Sequence, residues 1–397
     1  MTRSDGPAHL RQVRRGNLRT VLLSLADGPG SRADLAQRTG LTKATIANLV
    51  DPLVRQRILC EDAALSSGRG RPSRPVRFHP DAPVAIGAEV NVGHLATAVR
   101  GLDGAIRSHR RVNVDNRHRS PARIVEHLAR LIRAAVDECG QPVLGVGLAV
   151  PGIVRDGVVV RAPNVPGLVD TPVGERLSTD LEGLHVLVDN EANLAAFGEL
   201  WPHRLIGDDY VYVSGDIGIG TGMVIDGRLY RGVAGFAGEL GHVAIERGGR
   251  ECSCGGRGCV EQYAGLDAIL GSSRCPGIGE LLRAIERGDE RARATVEDAG
   301  AALGVAVATL LNIVDITTVV LGGAYAVLFD QLAPAIRSEL DTRVLAASQR
   351  AITLAAAPHG DRAVVFGAAG MVAHRACLEP ELLTAALPSV GVLHQHR

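Results

Sequence analysis

The chain has 397 residues with 43 basic and 43 acidic side chains, so its formal net charge is zero. Residues 1–80 nevertheless hold 14 Arg and Lys against 6 Asp and Glu, whereas the remainder holds 29 against 37. This length predicts two or three domains, and the basic end predicts a nucleic-acid contact confined to the N-terminal segment. Because no uncharged apolar stretch reaches about 18 residues, we expect no membrane-spanning helix. Seven cysteines without the spacing of a disulfide framework indicate a reducing environment, so we expect a cytoplasmic protein.

The basic segment has the pattern of a helix-turn-helix. Apolar residues recur at helical spacing over residues 9–26, which predicts a first helix. Ser31 is a suitable N-cap for a short helix over residues 32–38, and Thr42 for a second helix that ends near Gln56. The turn between these two helices contains a glycine, as in helix-turn-helix motifs. The start of the second helix in such a motif meets base edges, so the predicted DNA contacts are Thr42, Lys43, Thr45 and Asn48.

Two short strands are predicted next, at residues 58–61 and 75–79, on either side of a stretch rich in Arg and Gly. This order is that of a winged helix with a basic wing tip. Extended arginines separated by glycine fit a narrow minor groove, which adds Arg69 and Arg71 to the predicted DNA contacts. A small helical bundle with a solvated basic loop is the alternative interpretation. We predict residues 1–80 to be a winged helix-turn-helix DNA-binding domain.

From Pro83 onward, strands rich in Ala, Val and Gly alternate with helices, which predicts a two-lobed α/β body with a cleft between the lobes. We predict a first lobe at residues 81–196, completed by residues 367–385, and a second lobe at residues 197–366. The predicted helices cover residues 121–138 and 299–313. The predicted strands cover residues 84–88, 96–99, 110–114, 143–150, 185–188, 210–213, 222–225, 318–321 and 363–366.

One histidine and three cysteines lie within a short stretch of the second lobe. His242, Cys252, Cys254 and Cys259 are the ligand set of a tetrahedral Cys3His zinc site. Because four protein ligands leave no position for a reactive water, we expect a structural rather than a catalytic zinc. The metal would hold Glu239, His242 and Glu261 in fixed relative positions, and carboxylates and an imidazole facing one pocket suit the hydroxyls of a polar ligand. Surface acids beside a structural zinc loop are the plainer alternative.

The body resembles the ROK family of repressors, open reading frames and sugar kinases. The motifs that carry this resemblance are Val-Pro-Gly at 150–152, Ala-Pro-Asn at 162–164, Val-Asp-Asn-Glu-Ala-Asn at 188–193, Gly-Ile-Gly-Thr-Gly at 218–222, Glu-Leu-Gly-His at 239–242, the cysteine run at 252–261 and Leu-Gly-Gly at 321–323. The resemblance runs from about Val84 to the end of the chain. It implies an actin-like, ribonuclease-H-like fold, with the winged helix placed as in ROK repressors. It also implies a sugar in the cleft, bound by Asn190, Glu191, Glu239, His242 and Glu261.

Three departures from the kinase members of this family point away from phosphoryl transfer. Where kinases have a phosphate-binding Asp-x-Gly-Gly-Thr turn, residues 89–93 read Glu-Val-Asn-Val-Gly. Where they have Gly-Thr-Gly-Ile-Gly, residues 216–220 read Asp-Ile-Gly-Ile-Gly, which places a carboxylate beside the phosphates. The general base of the Asn-Asp-Ala-Asn pattern becomes Glu191, one methylene longer. We therefore predict no catalytic residue, with Glu191 at a degenerate base position.

These inferences predict a sugar-responsive transcriptional regulator, most simply a repressor. We expect a homodimer or homotetramer that binds an inverted-repeat operator in double-stranded DNA through paired winged helices. An active ATP-dependent sugar kinase with an appended DNA-binding domain is the alternative function. A DNA-binding protein whose cleft is vestigial is a third possibility.

Overall fold

The computed structural model describes residues 7–63, 74–162, 164–216 and 218–387. Its helices are α1 (Pro7–Ala26), α2 (Arg32–Thr39), α3 (Lys43–Arg55), α4 (Pro121–Cys139), α5 (Val173–Asp180), α6 (Glu191–Leu200), α7 (Glu261–Ala264), α8 (Leu266–Ser273), α9 (Ile278–Glu286), α10 (Glu290–Val314), α11 (Ala324–Val327), α12 (Phe329–Arg343), α13 (Ala363–Leu378) and α14 (Glu381–Ala385). Its strands are β1 (Gly30–Ser31), β2 (Leu59–Glu61), β3 (Pro75–Phe78), β4 (Val84–Val90), β5 (His94–Gly101), β6 (Ile106–Asn113), β7 (Val143–Val150), β8 (Ile153–Arg155), β9 (Val158–Arg161), β10 (Val186–Asn190), β11 (Tyr210–Gly215), β12 (Ile219–Ile225), β13 (Arg228–Tyr230), β14 (Thr318–Gly323) and β15 (Thr353–Ala356).

The N-terminal region is a winged helix-turn-helix, as the sequence predicts. The hydroxyl of Ser31 accepts a hydrogen bond from the amide of Asp34, and Thr42 caps α3 in the same way through Thr45. Gly40 ends α2 with φ of 71°, a conformation that costs glycine little. Strands β2 and β3 pair antiparallel, and β1 joins the other edge of β3. The predicted contacts Arg69 and Arg71 lie outside the described residues.

Two five-stranded sheets form the body, and they share one topology. The orders are β10-β7-β4-β5-β6 and β13-β12-β11-β14-β15. In each sheet the first three strands in sequence run antiparallel, and the fourth and fifth add in parallel on the other side of the first strand. This duplicated arrangement is the expected actin-like, ribonuclease-H-like fold. A separate two-stranded ribbon, β8 with β9, follows β7.

Helices α6 and α13 pack against each other between the two sheets. Each helix also contacts the sheet of the other half, because α6 packs on β12 whereas α13 packs on β4 and β7. The approach is so close that a methyl group at Gly367 would overlap the carbonyl oxygen of Leu194. The predicted end of the first lobe, residue 196, lies inside helix α6. The limits of the domains remain a prediction.

The predicted strand at residues 363–366 is wrong, because these residues form the first turn of α13. Ala363 to Phe366 are all apolar and buried, and a short apolar run fits a buried strand as well as a buried helix. The run continues with little interruption to Leu378, which is too long for a typical strand and should have favoured a helix.

Among the described residues, α10 is long and apolar enough to cross a membrane by length and composition. Half of its most apolar window is buried in the protein, where the helix packs against α12, α7 and α8. These contacts are those of a core helix in the second half of the body. All seven cysteines are free thiols, as the absence of a disulfide framework predicts.

Candidate ligand cleft and metal centre

A cavity of about 350 Å³ lies between the two sheets and collects every residue predicted to bind sugar. The strand β10 and helix α6 supply one wall, the start of β12 supplies a second, and the segment after β13 supplies a third. A cavity of this size is at the small end of ligand sites. Its predicted members are Asn190, Glu191, Glu239, His242 and Glu261.

Asn190 sits at the junction of β10 and α6 and acts as the N-cap of that helix. Its side-chain oxygen accepts hydrogen bonds from the amides of Ala192 and Asn193, at 2.8 and 3.2 Å. Its side-chain nitrogen donates to the carbonyl of Gly152 at 2.7 Å. One N–H of the amide is therefore left for a ligand, and the side chain is held rigidly before any ligand arrives.

Glu191 places a buried carboxyl in the cleft. Its Oε2 atom has no hydrogen-bond partner among the described residues. Burial raises the pKa of Glu191 well above its ordinary value, and the nearby Asp216 and Glu89 add to this shift. The pKa of Asp216 is also raised, by burial and then by Glu89. Glu89 is 3 % exposed and lies 3.2 Å from Nε2 of His94. The fold thus gathers two further acids beside Glu191, which itself lines the cleft.

Two further carboxylates enter from the second half of the body. Glu239 precedes the short 3-10 turn Leu240–His242, and burial raises its pKa, with His242 and Arg161 opposing that shift. Glu261 begins α7, and its Oε2 accepts a hydrogen bond from the amide of Ile219 at 3.0 Å. The turn and the helix thus aim both carboxylates into one cavity.

The four predicted metal ligands converge. The ligand atoms of His242, Cys252, Cys254 and Cys259 all lie within 4.8 Å of one another. The Sγ of Cys252 is 3.7 Å from Nδ1 of His242, and the sulfurs of Cys254 and Cys259 are also 3.7 Å apart. Two sulfurs at about 2.3 Å from a tetrahedral zinc would be about 3.8 Å apart, so this geometry fits a metal ion.

Local chemistry in the cysteine loop also suits a metal. Burial raises the pKa of Cys259 to about 12, so three thiolates at this place need a nearby positive charge. Gly258 has φ of 78°, and a side chain there would overlap the carbonyl of Glu246, so only glycine allows the loop to close. Arg161, which lines the cleft, donates to the carbonyl of Cys254 at 3.2 Å. This hydrogen bond ties the loop directly to the cleft.

Sequence reasoning missed several residues of the cleft wall. Arg161, Asn193, Thr221 and Phe236 line the cavity, and Phe236 is half-exposed at its edge. Thr221 Oγ1 is buried without a partner among the described residues. The glycines around Phe236 were a possible signal, because repeated glycines beside a predicted site indicate a loop that approaches a ligand closely. Asn164 lines the cavity too; like Asn193 and Thr221, it belongs to a motif noted in the sequence but was given no role there.

The predicted DNA contacts lie on the open face of α3. Lys43 and Asn48 are exposed, whereas Ile46 and Leu49 on the opposite face are buried in the core of the domain. Thr42 and Thr45 hydrogen-bond each other through their hydroxyls at 2.9 Å, and Thr42 also caps the helix. Lys43 and Asn48 are therefore the freer of these side chains to meet a base or a phosphate.

Comparison with known proteins agrees with this architecture. A profile of the ROK family matches residues 85–375. The xylose repressor of Bacillus subtilis is 29% identical over 363 residues, covering 88% of this chain and 92% of the repressor. A solved ROK family transcriptional regulator, a homologue of the E. coli Mlc protein, has a TM-score of 0.78 at 23% identity over 94% of this chain and 99% of its own. A ROK glucokinase from Streptomyces griseus, solved with glucose and AMPPNP, has a TM-score of 0.63 at 26% identity over 72% of this chain and 98% of its own.

Proposed function

The chain belongs to the ROK family, and from this premise we propose that it is a sugar-responsive transcriptional repressor. The observation that carries the proposal is that one chain unites a winged helix with a cleft lined by the predicted sugar-binding residues. Similarity to the xylose repressor spans both parts, whereas similarity to the glucokinase covers a smaller share of the chain. A pentose or hexose is therefore the effector that we propose.

The cleft has the donors and acceptors that a sugar needs. Glu239 and Glu261 offer carboxylate oxygens to sugar hydroxyls, and Asn190 offers an N–H. Because its pKa is raised, Glu191 carries a proton more readily than an ordinary carboxyl and can then donate as well as accept. A sugar hydroxyl also donates and accepts, so this mixed set suits a polyol.

Zinc is the metal that we propose for the Cys3His cluster, in a structural role. The donor set fills a tetrahedron, so no ligand position is left for water. His242 belongs to the cluster and also lines the cleft, and Arg161 links the two. A bound metal would fix this wall of the cleft and so prepare it for sugar.

A loss of kinase activity fits the buried acids beside Glu191. Glu89 and Asp216 lie close enough to raise the pKa of Glu191, Glu89 also raises that of Asp216, and no described arginine or lysine neutralises the three through a hydrogen bond. A triphosphate beside these carboxylates would meet like charge, which disfavours its binding. Residual kinase activity is the second candidate, because Glu191 keeps a carboxyl at the base position and the glucokinase shares the fold.

DNA binding and sugar binding must be coupled for control. We propose a homodimer, with two winged helices on an inverted-repeat operator, because protein two-fold symmetry matches a palindromic site. Sugar then acts by changing the relative placement of the two halves of the body and of the attached winged helices. A coupling free energy of about 1–3 kcal/mol would alter operator affinity by about 5- to 150-fold.

A thermal-shift screen with pentoses, hexoses and their phosphates tests sugar binding, followed by operator titrations with and without the sugar that stabilises the protein. We expect a neutral sugar to raise the melting temperature and to change operator affinity. Turnover with ATP above about 1 s⁻¹ in a coupled assay would instead establish the kinase function. Operator affinity unchanged by every sugar would favour a vestigial cleft.

The winged helix is tested separately by Lys43→Ala. We expect operator affinity to fall about 5- to 150-fold, the loss of about 1–3 kcal/mol for one base contact, with sugar binding unchanged. Arg57→Ala is the matched control, because Arg57 is basic and exposed but follows α3 and pairs with Asp81. Equal loss in both variants would show a general charge effect rather than contact by α3.

A further inference from the structure

A second cavity lies where the DNA-binding module joins the body. It measures about 490 Å³ and is bounded on one side by Leu23 and Asp27 at the end of α1. The opposite walls come from α6, α13, β10 and the β13 segment. Helix α1 packs on α13 beside this cavity. A displacement of these walls would therefore reach α1 directly.

Two chain segments line both this junction cavity and the ligand cleft. Strand β10 places Leu187 in the junction cavity, and Asn190 with Glu191 follows in the cleft. The segment that starts at β13 places Arg228, Leu229 and Arg231 around the junction cavity, and residues 235–239 then line the cleft. Because each segment is short, a displacement of its residues at one cavity would also displace those at the other.

One ion pair joins these two segments. Arg231 donates from Nε and from a terminal nitrogen to Oδ2 of Asp189, at 2.8 and 2.7 Å. The side chain of Asp189 is 9% exposed, whereas that of Arg231 is 45% exposed because it borders the junction cavity. A charge-assisted pair with two short bonds and one buried partner holds its geometry well.

The other oxygen of Asp189 accepts hydrogen bonds from two residues that line the ligand cleft. Oδ1 accepts from the amide of Asn190 at 2.8 Å and from the side-chain nitrogen of Asn193 at 3.1 Å. One buried carboxylate thus positions two cleft residues with one oxygen and Arg231 with the other. Any ligand-driven movement of Asn190 or Asn193 is passed to Arg231 through a single rigid group.

The segment beyond Arg231 connects this residue to the cleft. Gly232, Gly235 and Gly238 have φ of 72°, 80° and 92°, and the amide of Ala237 donates back to the carbonyl of Arg231 at 3.2 Å. This small closed loop carries Phe236 and leads to Glu239 in the cleft. A ligand contact at Phe236 or Glu239 would therefore act on the backbone of Arg231 as well.

We propose that the Asp189–Arg231 ion pair transmits sugar occupancy from the cleft to the junction with the DNA-binding module. This role rests on the proposed function, because the ion pair would connect sugar binding to DNA binding. Arg231 is a positioning residue: it acts through Asp189 and through the junction wall, and it is not among the residues that line the cleft. Sugar affinity and DNA affinity should therefore survive its loss, while the link between them should not.

The test uses the full-length protein, a DNA duplex selected from random sequence by the wild type, and D-xylose and D-glucose as probes. Operator and sugar dissociation constants are measured for wild type, Arg231→Met and Arg231→Lys. For Arg231→Met we expect the sugar-induced change in operator affinity to fall from about 5- to 150-fold to within about 2-fold. Lysine keeps the charge but not the two-bond geometry, so we expect Arg231→Lys to retain part of the response. It also provides a test if the methionine variant does not fold.

Arg228→Met is the matched control, since Arg228 lines the same cavity and makes no ion pair among the described residues. We expect it to respond to sugar like wild type. A full response in Arg231→Met, or an equal loss in Arg228→Met, would overturn the inference. So would loss of sugar binding in Arg231→Met, because the pair would then belong to the sugar site. A wild type that ignores both sugars but binds another in the screen is retested with that sugar, and one that responds to none refutes the proposed function itself.

Discussion

The two halves of the body share a strand order but differ in the segment that comes after the third strand. In the first half, residues 114–120 lead directly from β6 to α4. In the second half, residues 231–289 stand between β13 and the equivalent helix α10. This insertion contains Glu239, Glu261 and all four predicted metal ligands. The two halves thus share their sheets, and the insertion in the second half adds the carboxylates and the Cys3His cluster of the candidate site.

The halves also contribute different chemistry to the cleft. The first half supplies the β10–α6 junction with Asn190 and the buried carboxyl of Glu191, both placed by regular secondary structure. The second half supplies its groups from a loop that a metal can hold. We therefore expect disturbance of the insertion to act mainly through metal binding, and disturbance of the first half to act through packing and burial.

The largest effect should come from loss of the metal. Cys259→Ser removes one of four ligands, and structural zinc sites contribute on the order of 10 kcal/mol to folding in small domains. We expect loss of bound zinc, a marked fall in melting temperature and loss of sugar binding, measured by metal analysis and thermal unfolding. Cys275→Ser changes a cysteine of the same half outside the cluster and should retain its zinc. Zinc retained by Cys259→Ser would contradict the ligand assignment.

The contact between the halves should be the next most sensitive place. In Gly367→Ala the new methyl group overlaps the carbonyl of Leu194, so α6 and α13 must separate, at a cost of about 1–3 kcal/mol. Urea unfolding measures this loss. Gly271→Ala is the control, because Gly271 lies in α8 with nothing near its Cβ position. There alanine should stabilise the helix by up to about 1 kcal/mol.

The buried carboxyl of the first half should produce a pH dependence. Because its pKa in the folded protein is raised, Glu191 favours folding below the unfolded pKa of about 4.3, and this contribution is lost as pH rises toward the folded pKa. Glu191→Gln cannot ionise, so it should remove that loss and leave the protein more stable than wild type at pH 7. Thermal unfolding over roughly pH 4 to 8 measures the difference. Glu126→Gln, at an exposed position of α4, should leave the profile unchanged.

The smallest effect that we predict concerns the aromatic edge of the cleft. Phe236 comes from the insertion and presents a ring where the apolar face of a sugar would lie. We expect Phe236→Ala to weaken sugar binding by about 1 kcal/mol, or roughly 5-fold, in calorimetric titrations. Val233→Ala in the same loop changes an exposed side chain outside the cavity and should bind as wild type. An equal effect in both would indicate loop disturbance instead of ring contact.

Features that depend only on neighbouring residues could be predicted from the sequence. Ser31 and Thr42 were predictable as caps because a cap depends on residues three positions away. The convergence of His242 with the three cysteines was predictable because cysteines with that spacing have few other uses. The strand predicted at residues 363–366 failed because four apolar residues fit a buried strand as well as a buried helix, although the length of the whole apolar run favoured a helix. The proximity of Glu89, Glu191 and Asp216, and the pairing of Asp189 with Arg231, could not be predicted because they depend on topology.

The short strand β1 has a consequence for how DNA sites would be distinguished. Gly30 and Ser31 pair with Val76 and Pro75, so the start of α2 is fastened to the second wing strand. Helix α3 and strand β3 then keep one mutual orientation, so each module would meet a half-site as a rigid body. In the proposed dimer, sugar could alter only the distance and rotation between two such bodies. Operators whose half-sites are separated by one more or one fewer base pair should therefore differ in their response to sugar, even with identical half-site sequences.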